Sequence, residues 1–194
     1  MELLAISGSP SSPSKTVLAL SVALARGGEH DDVHTDLLDL REQELVFSDG
    51  RDPAEYTGAT RDAIDRVVAA DALLVGTPMY RGGYTGRLKN LFDVLPNDAL
   101  AGKPVGLVAT GGTDHHFLAL EHELKPLVGF FRAWAVPGAV YANNTHFSGG
   151  ELTDDGVRGR LHDLADAVVT FARHMPTVAG PAAPDIPRRS AAES

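Results

Sequence analysis

Leu3-Leu4-Ala5-Ile6-Ser7-Gly8-Ser9-Pro10-Ser11-Ser12-Pro13-Ser14-Lys15-Thr16 is the stretch that decides the fold. Leu3 to Ile6 is a short apolar run of the kind that forms a buried strand. The Ser, Gly and Pro residues that follow break it into a loop. From Ser14 onward the apolar residues return at helical spacing, at Val17, Leu18, Leu20 and Leu24. Ser14 is a natural N-cap and Gly27-Gly28 a natural stop. A buried strand, a loop and a helix in that order is the opening unit of an alternating α/β chain.

The pattern repeats outward from there. Val33 to Leu40 reads as a second strand and residues 41–58 as irregular. Thr60 to Ala70 reads as a helix and Ala72 to Gly76 as a third strand that breaks at Thr77-Pro78. Leu88 to Leu95 reads as a helix and Val105 to Ala109 as a fourth strand. A long helix is expected over about 115–132, and Ala139 to Tyr141 as a fifth strand. Asp155 to Arg173 reads as a final amphipathic helix. Strands alternating with helices imply a parallel sheet covered on both faces. Right-handed crossovers favour a doubly wound α/β sheet of five parallel strands, for which 2-1-3-4-5 is a common order. Residues 1–175 are expected to form one domain, and the Pro-, Ala- and Arg-rich residues 176–194 a disordered tail.

Composition narrows the function classes. The 194 residues carry a formal net charge of −9, with 43% hydrophobic and 22% charged residues. No basic stripe suited to nucleic acid appears, so a nucleic-acid partner is not expected. There is no cysteine, which removes disulfides, thiolate catalysis and cysteine-ligated metals. Met1 to Ile6 lacks the basic start of a secretory leader. No segment has the run of about 20 apolar residues that spans a bilayer. A cytoplasmic protein with no membrane partner is the expectation.

Three loops follow the first, third and fourth strands and should meet at one sheet edge, where such folds bind ligands. The first carries Ser9, Ser11, Ser14, Lys15 and Thr16 into a helix N-terminus. Unpaired amides, a helix end of roughly half a positive charge and several hydroxyls suit a phosphate monoester. The spacing is neither that of a P-loop nor of a dinucleotide fingerprint, and the same residues would also make an ordinary capped turn. The second loop is Thr77-Pro78-Met79-Tyr80-Arg81-Gly82-Gly83-Tyr84-Thr85-Gly86. Its glycines allow close backbone approach and its tyrosines offer a wall for a flat heteroaromatic ring, or simply cover the core. The third loop, Thr110-Gly111-Gly112-Thr113-Asp114-His115-His116, offers donors to the polar edge of such a ring. His115 suits a donor role. A metal at His115-His116 is not expected, because adjacent side chains diverge on a helix and zinc needs three or four converging ligands.

These residues, with Leu88-Lys89-Asn90-Leu91-Phe92-Asp93 and Ala109-Thr110-Gly111-Gly112-Thr113, resemble the NAD(P)H-dependent FMN reductases of flavodoxin-like fold. The run Leu120-Glu121-His122-Glu123-Leu124-Lys125-Pro126 makes the chain most similar to the reductase component of two-component alkanesulfonate monooxygenases. The resemblance covers roughly residues 3–145. It implies FMN and either NADPH or NADH as cofactors, with hydride transfer to flavin N5 and no side-chain catalytic residue. Ser9, Ser11, Ser14 and Thr16 would hold the phosphate, Pro78, Met79, Tyr80, Arg81 and Gly82 would line the ring, and Thr110, Gly111, Gly112 and Thr113 would meet its pyrimidine edge or the ribityl chain. Arg81 could instead meet a nicotinamide-cofactor phosphate. Members are homodimers or homotetramers and can supply reduced flavin to a monooxygenase. The alternatives are an enzyme that keeps its FMN and reduces a quinone, azo, nitro or metal-ion acceptor, a flavodoxin-type electron carrier, and a non-catalytic module holding another phosphorylated ligand. Two features stand apart. The family often has an arginine where this chain has Ser11, so phosphate binding is expected to be weaker unless Lys15 compensates. His122 falls where related reductases carry a π-bulge near the flavin and the subunit interface.

Overall fold

A computed structural model of the chain describes residues 1–176 and 180–181. The expectation for the tail falls almost wholly outside the described residues. Strand β1 (Glu2–Ser7) leads into helix α1 (Lys15–Gly27), and Ser14 accepts the Val17 N–H as its N-cap. Strand β2 (His34–Asp39) follows, then α2 (Gly58–Ala69), β3 (Ala72–Pro78), α3 (Gly86–Val94) and β4 (Pro104–Gly111). Beyond β4 come α4 (Lys125–Phe130), the short strands β5 (Trp134–Ala135), β6 (Val140–Asn143), β7 (Phe147–Ser148) and β8 (Glu151–Leu152), and the long α5 (Asp155–His174).

The main sheet runs β2-β1-β3-β4-β5, with β6 also paired to β4, and its pairings are parallel. This is the expected doubly wound order. Alternate residues of each strand point to opposite faces. Leu4, Ile6, Leu73, Val75 and Leu107 therefore pack with α2, α3 and α4. Leu3, Ala5, Leu74 and Val108 pack with α1 and α5. Burial on both faces explains why the strands read as unbroken apolar runs.

Two expectations are corrected. The fifth strand is split. Trp134 and Ala135 pair with Pro104 and Val105, and Val140 to Asn143 pair with Val108 to Gly111. Between them, Pro137 has no N–H to give a ladder and Gly138 turns the backbone at φ +90°. The long helix over 115–132 is also broken. It consists of a 3-10 turn at Asp114–His116, a π-helical turn at Leu120–Leu124, and then α4. The Lys125 N–H reaches back five residues to the Leu120 carbonyl, and Pro126 has no N–H for the regular four-residue step. The π turn contains His122, whose side chain is exposed.

Candidate functional site

β1, β3 and β4 end at the same sheet edge, and their loops are tied together there. The Gly8 N–H donates to the Gly76 carbonyl (2.8 Å), holding the first loop against β3. Thr85 caps α3 by accepting the Leu88 N–H, and its hydroxyl donates to the Gly8 carbonyl (2.7 Å). The Met79 N–H donates to the Thr110 carbonyl (2.7 Å). Thr16 and Thr110 share a buried hydrogen bond, with their hydroxyl oxygens 2.7 Å apart.

The loops enclose a cleft of about 310 Å³, in the range of small-molecule sites. Ser9, Ser11, Lys15 and Thr16 form one wall, Pro78, Met79 and Tyr80 a second, and Thr110, Gly111 and Gly112 a third. Ser14, Arg81, Gly82 and Thr113 were also expected at the site but do not line this cleft. Ser14 is buried beneath it as the helix cap. The His115 side chain lies outside what is described. Two lining residues, Pro13 and Asn144, were not anticipated.

Each wall has a local cause. The phosphate-type wall is a tightening loop in which Ser9 N–H meets Ser7 Oγ and Ser11 N–H meets Ser9 Oγ. It delivers the first turn of α1 with its unpaired amides to the cleft. Lys15 Nζ donates to Asn144 Oδ1 (2.8 Å) and lies 5.6 Å from the centre of the Phe147 ring. The ammonium is thereby placed at the cleft by the segment after β6. The aromatic wall is a two-residue turn. Tyr80 and Gly83 exchange backbone hydrogen bonds, with Arg81 at φ 53° and Gly82 at φ 85°. Left-handed angles at both central positions make a hairpin-type turn, easy for Gly82 and costly by roughly 1–2 kcal/mol for Arg81. Tyr80 stands 48% exposed, its Oη 3.5 Å from Ser11 Oγ across the cleft. On the third wall, a Cβ at Gly111 would lie 1.9 Å from Tyr141 Oη. That hydroxyl donates to the Thr113 carbonyl (2.6 Å). Burial pushes the Tyr141 phenol above its ordinary value, and the charge of Asp114 adds to the effect. Glycine at 111 is therefore required by Tyr141. Gly112 is open on its side-chain side, its nearest neighbour being Asn144 Nδ2 at 3.9 Å.

The cleft thus pairs a hydroxyl- and amide-rich end carrying a lysine with an end lined by Met79, Tyr80, Gly111 and Gly112. Such a donor set suits a phosphorylated, flat heterocycle, and the residues fit a flavin mononucleotide. A cleft at the carboxyl ends of a 2-1-3-4-5 parallel sheet is where a flavodoxin-like fold binds its ligand.

Comparison with known proteins makes this specific. The profile of the family described as NADPH-dependent FMN reductase matches residues 1–147. An NAD(P)H-dependent FAD/FMN reductase of Geobacillus thermodenitrificans is 42% identical over 170 residues, 87% of this chain and 92% of that protein. The NADH-dependent FMN reductase SfnE of Pseudomonas putida is 34% identical over 175 residues, covering 90% and 94%. The crystal structure of the NADH:FMN oxidoreductase EmoB, in its apo form, superposes with a TM-score of 0.77 at 30% identity, covering 93% of this chain and 96% of that one. The chain belongs to the NADPH-dependent FMN reductase family.

Proposed function

We propose that the cleft binds FMN, with its phosphate at Ser9, Ser11 and the first turn of α1 and its ring between Met79-Tyr80 and Gly111-Gly112. The reaction is NAD(P)H-dependent reduction of FMN, for which a flavin held here would supply N5 as the hydride acceptor. The observation that carries the placement is the convergence of three loops on one cleft, fastened by the Thr16–Thr110 and Met79–Thr110 hydrogen bonds.

The protein's own part is binding and orientation. Lys15 and the α1 amides set the phosphate end. Met79 and Pro78 keep water from one face of the slot, and the Gly111-Gly112 backbone lets the polar ring edge come close. Tyr80, half exposed on the cleft wall, would meet an incoming nicotinamide. Backbone donors of the third loop stabilise negative charge that develops on the ring. No side chain is needed as an acid or base.

The wider reading follows from the resemblance to the alkanesulfonate-type reductases. Reduced flavin leaves the open cleft and feeds a flavin-dependent monooxygenase. Use of reduced nicotinamide as the electron source supports a cytoplasmic location. Among the described residues no helix is long and apolar enough to cross a membrane. Phe117, Leu118 and Phe130 are exposed around the π turn and α4, an apolar surface suited to a second copy of the chain in a homodimer or homotetramer.

Titration of flavin-stripped protein with FMN, followed by flavin fluorescence, tests the site. Saturable one-to-one quenching is expected. An unchanged signal at micromolar flavin would contradict the placement.

A further inference from the structure

The loop from Gly8 to Thr16 contains one cation, Lys15, and Lys15 reaches away from Ser11 to Asn144. A second cation meets the loop from the opposite side. Arg41, just beyond β2, donates from Nη1 to the Ser11 carbonyl (2.9 Å) and from Nη2 to Asp39 Oδ2 (2.7 Å). Asp39 is 7% exposed, and its other oxygen accepts the Arg41 N–H (3.0 Å). The segment is held in turn by α3, because Arg87 Nη1 donates to the Leu40 carbonyl (2.7 Å). The guanidinium therefore stands on a fixed platform, oriented by a buried carboxylate.

We propose that Arg41 is a positioning residue for phosphate binding, acting through the Ser11–Ser12 peptide. The C=O and N–H of a trans peptide point in opposite directions. Pinning the Ser11 carbonyl to Arg41 sets the Ser12 N–H on the opposite side of that peptide and fixes Ser11, which lines the cleft, at the proposed phosphate end. The charge of Arg41 is largely matched by Asp39 and by Glu42 at 3.6 Å. Its main effect is thus on the direction of a donor. This inference rests on the FMN reading of the cleft, since the peptide orientation matters only to a ligand with a phosphate at that end.

The test compares FMN with riboflavin, which lacks the phosphate, by fluorescence titration of flavin-stripped protein. The unaltered chain is expected to bind FMN more tightly than riboflavin. Arg41→Met should weaken FMN about tenfold, a loss typical of one well-oriented hydrogen bond to a charged group, and leave riboflavin unchanged. Arg41→Lys, which keeps a donor for the Ser11 carbonyl, should recover part of the loss. In Asp39→Asn/Arg41→Met, which leaves no orphaned buried charge, the FMN-specific loss should persist. If FMN and riboflavin weaken equally, or FMN affinity is unchanged in Arg41→Met, the inference is overturned while the site stands. If the double variant restores FMN affinity, the effect belongs to Asp39 and the inference is again overturned. If the unaltered chain binds both flavins equally, the phosphate-end reading itself fails.

Discussion

The hydroxyls of Thr16 on α1 and Thr110 on β4 meet 2.7 Å apart beneath the cleft floor. This one contact joins the proposed phosphate end of the cleft to the proposed ring-edge end. Both residues are almost fully buried, so each hydroxyl has the other as its principal partner.

Thr110→Val should destabilise the protein by about 1–2 kcal/mol, because the Thr16 hydroxyl is left buried and unpaired. The double variant Thr16→Val/Thr110→Val should recover most of that loss, since both polar groups are then gone. Urea unfolding of the two variants checks this. Equal or additive losses would show that the hydroxyls act separately.

Gly111→Ala should destabilise by about 1–3 kcal/mol through overpacking against Tyr141, whose Oη would sit 1.9 Å from the new Cβ. Gly111→Ala/Tyr141→Phe removes the clashing oxygen and should be more stable than Gly111→Ala alone. Gly112→Ala has room and should leave the unfolding midpoint unchanged. Any loss of flavin affinity in Gly112→Ala then reports on the slot itself, and normal affinity would show that the ring does not approach there.

Ser14→Asp separates the fold from the ligand. Asp is as good an N-cap as Ser, so α1 should remain capped at Val17 and stability should hold. The added negative charge would stand at the N-terminus of α1, behind the proposed phosphate position, so FMN affinity should fall by about tenfold or more. Riboflavin affinity should barely change. Unchanged FMN affinity would remove α1 from the site.

The alternation of strands and helices, the cap at Ser14 and most of the residues lining the cleft are legible in the sequence because each rests on a local signal. Apolar runs mark β1, β3 and β4, and serines or threonines precede helical periods. The misread regions have causes that apolar spacing does not carry. The helix over 115–132 shows good apolar spacing, and its break reflects Pro126 together with the reach of Lys125 to Leu120. The split fifth strand follows from Pro137 and Gly138, which a three-residue apolar run at 139–141 does not reveal. Asn144 and Arg41 come to the site from β6 and β2 through pairing partners far away in sequence. Tyr141 could have been suspected, since a glycine pair beside a buried strand invites a bulky neighbour.

Away from the site, Asp166 on α5 gives a pH-dependent fastening to α1. Partial burial pushes its carboxyl up, but hydrogen bonds from Arg26 and then His30 outweigh that and hold it below the ordinary value of 3.8. A depressed carboxyl contributes stability above its unfolded value and loses it as pH falls through the folded one. Asp166→Asn should therefore lower the melting temperature at neutral pH, and its difference from the unaltered protein should shrink as pH falls below about 4. A difference that does not change with pH would show that the ion pair contributes only packing.

The most direct test of the central claim is oxidation of NADPH and of NADH by flavin-stripped protein, followed at the reduced-nicotinamide absorbance band, with free FMN added in increasing amounts. Negligible oxidation is expected without flavin, and a rate that rises and saturates with added FMN for at least one of the two nicotinamides. Protein that binds FMN yet oxidises neither nicotinamide at any flavin concentration would contradict it and leave a flavodoxin-type carrier in its place.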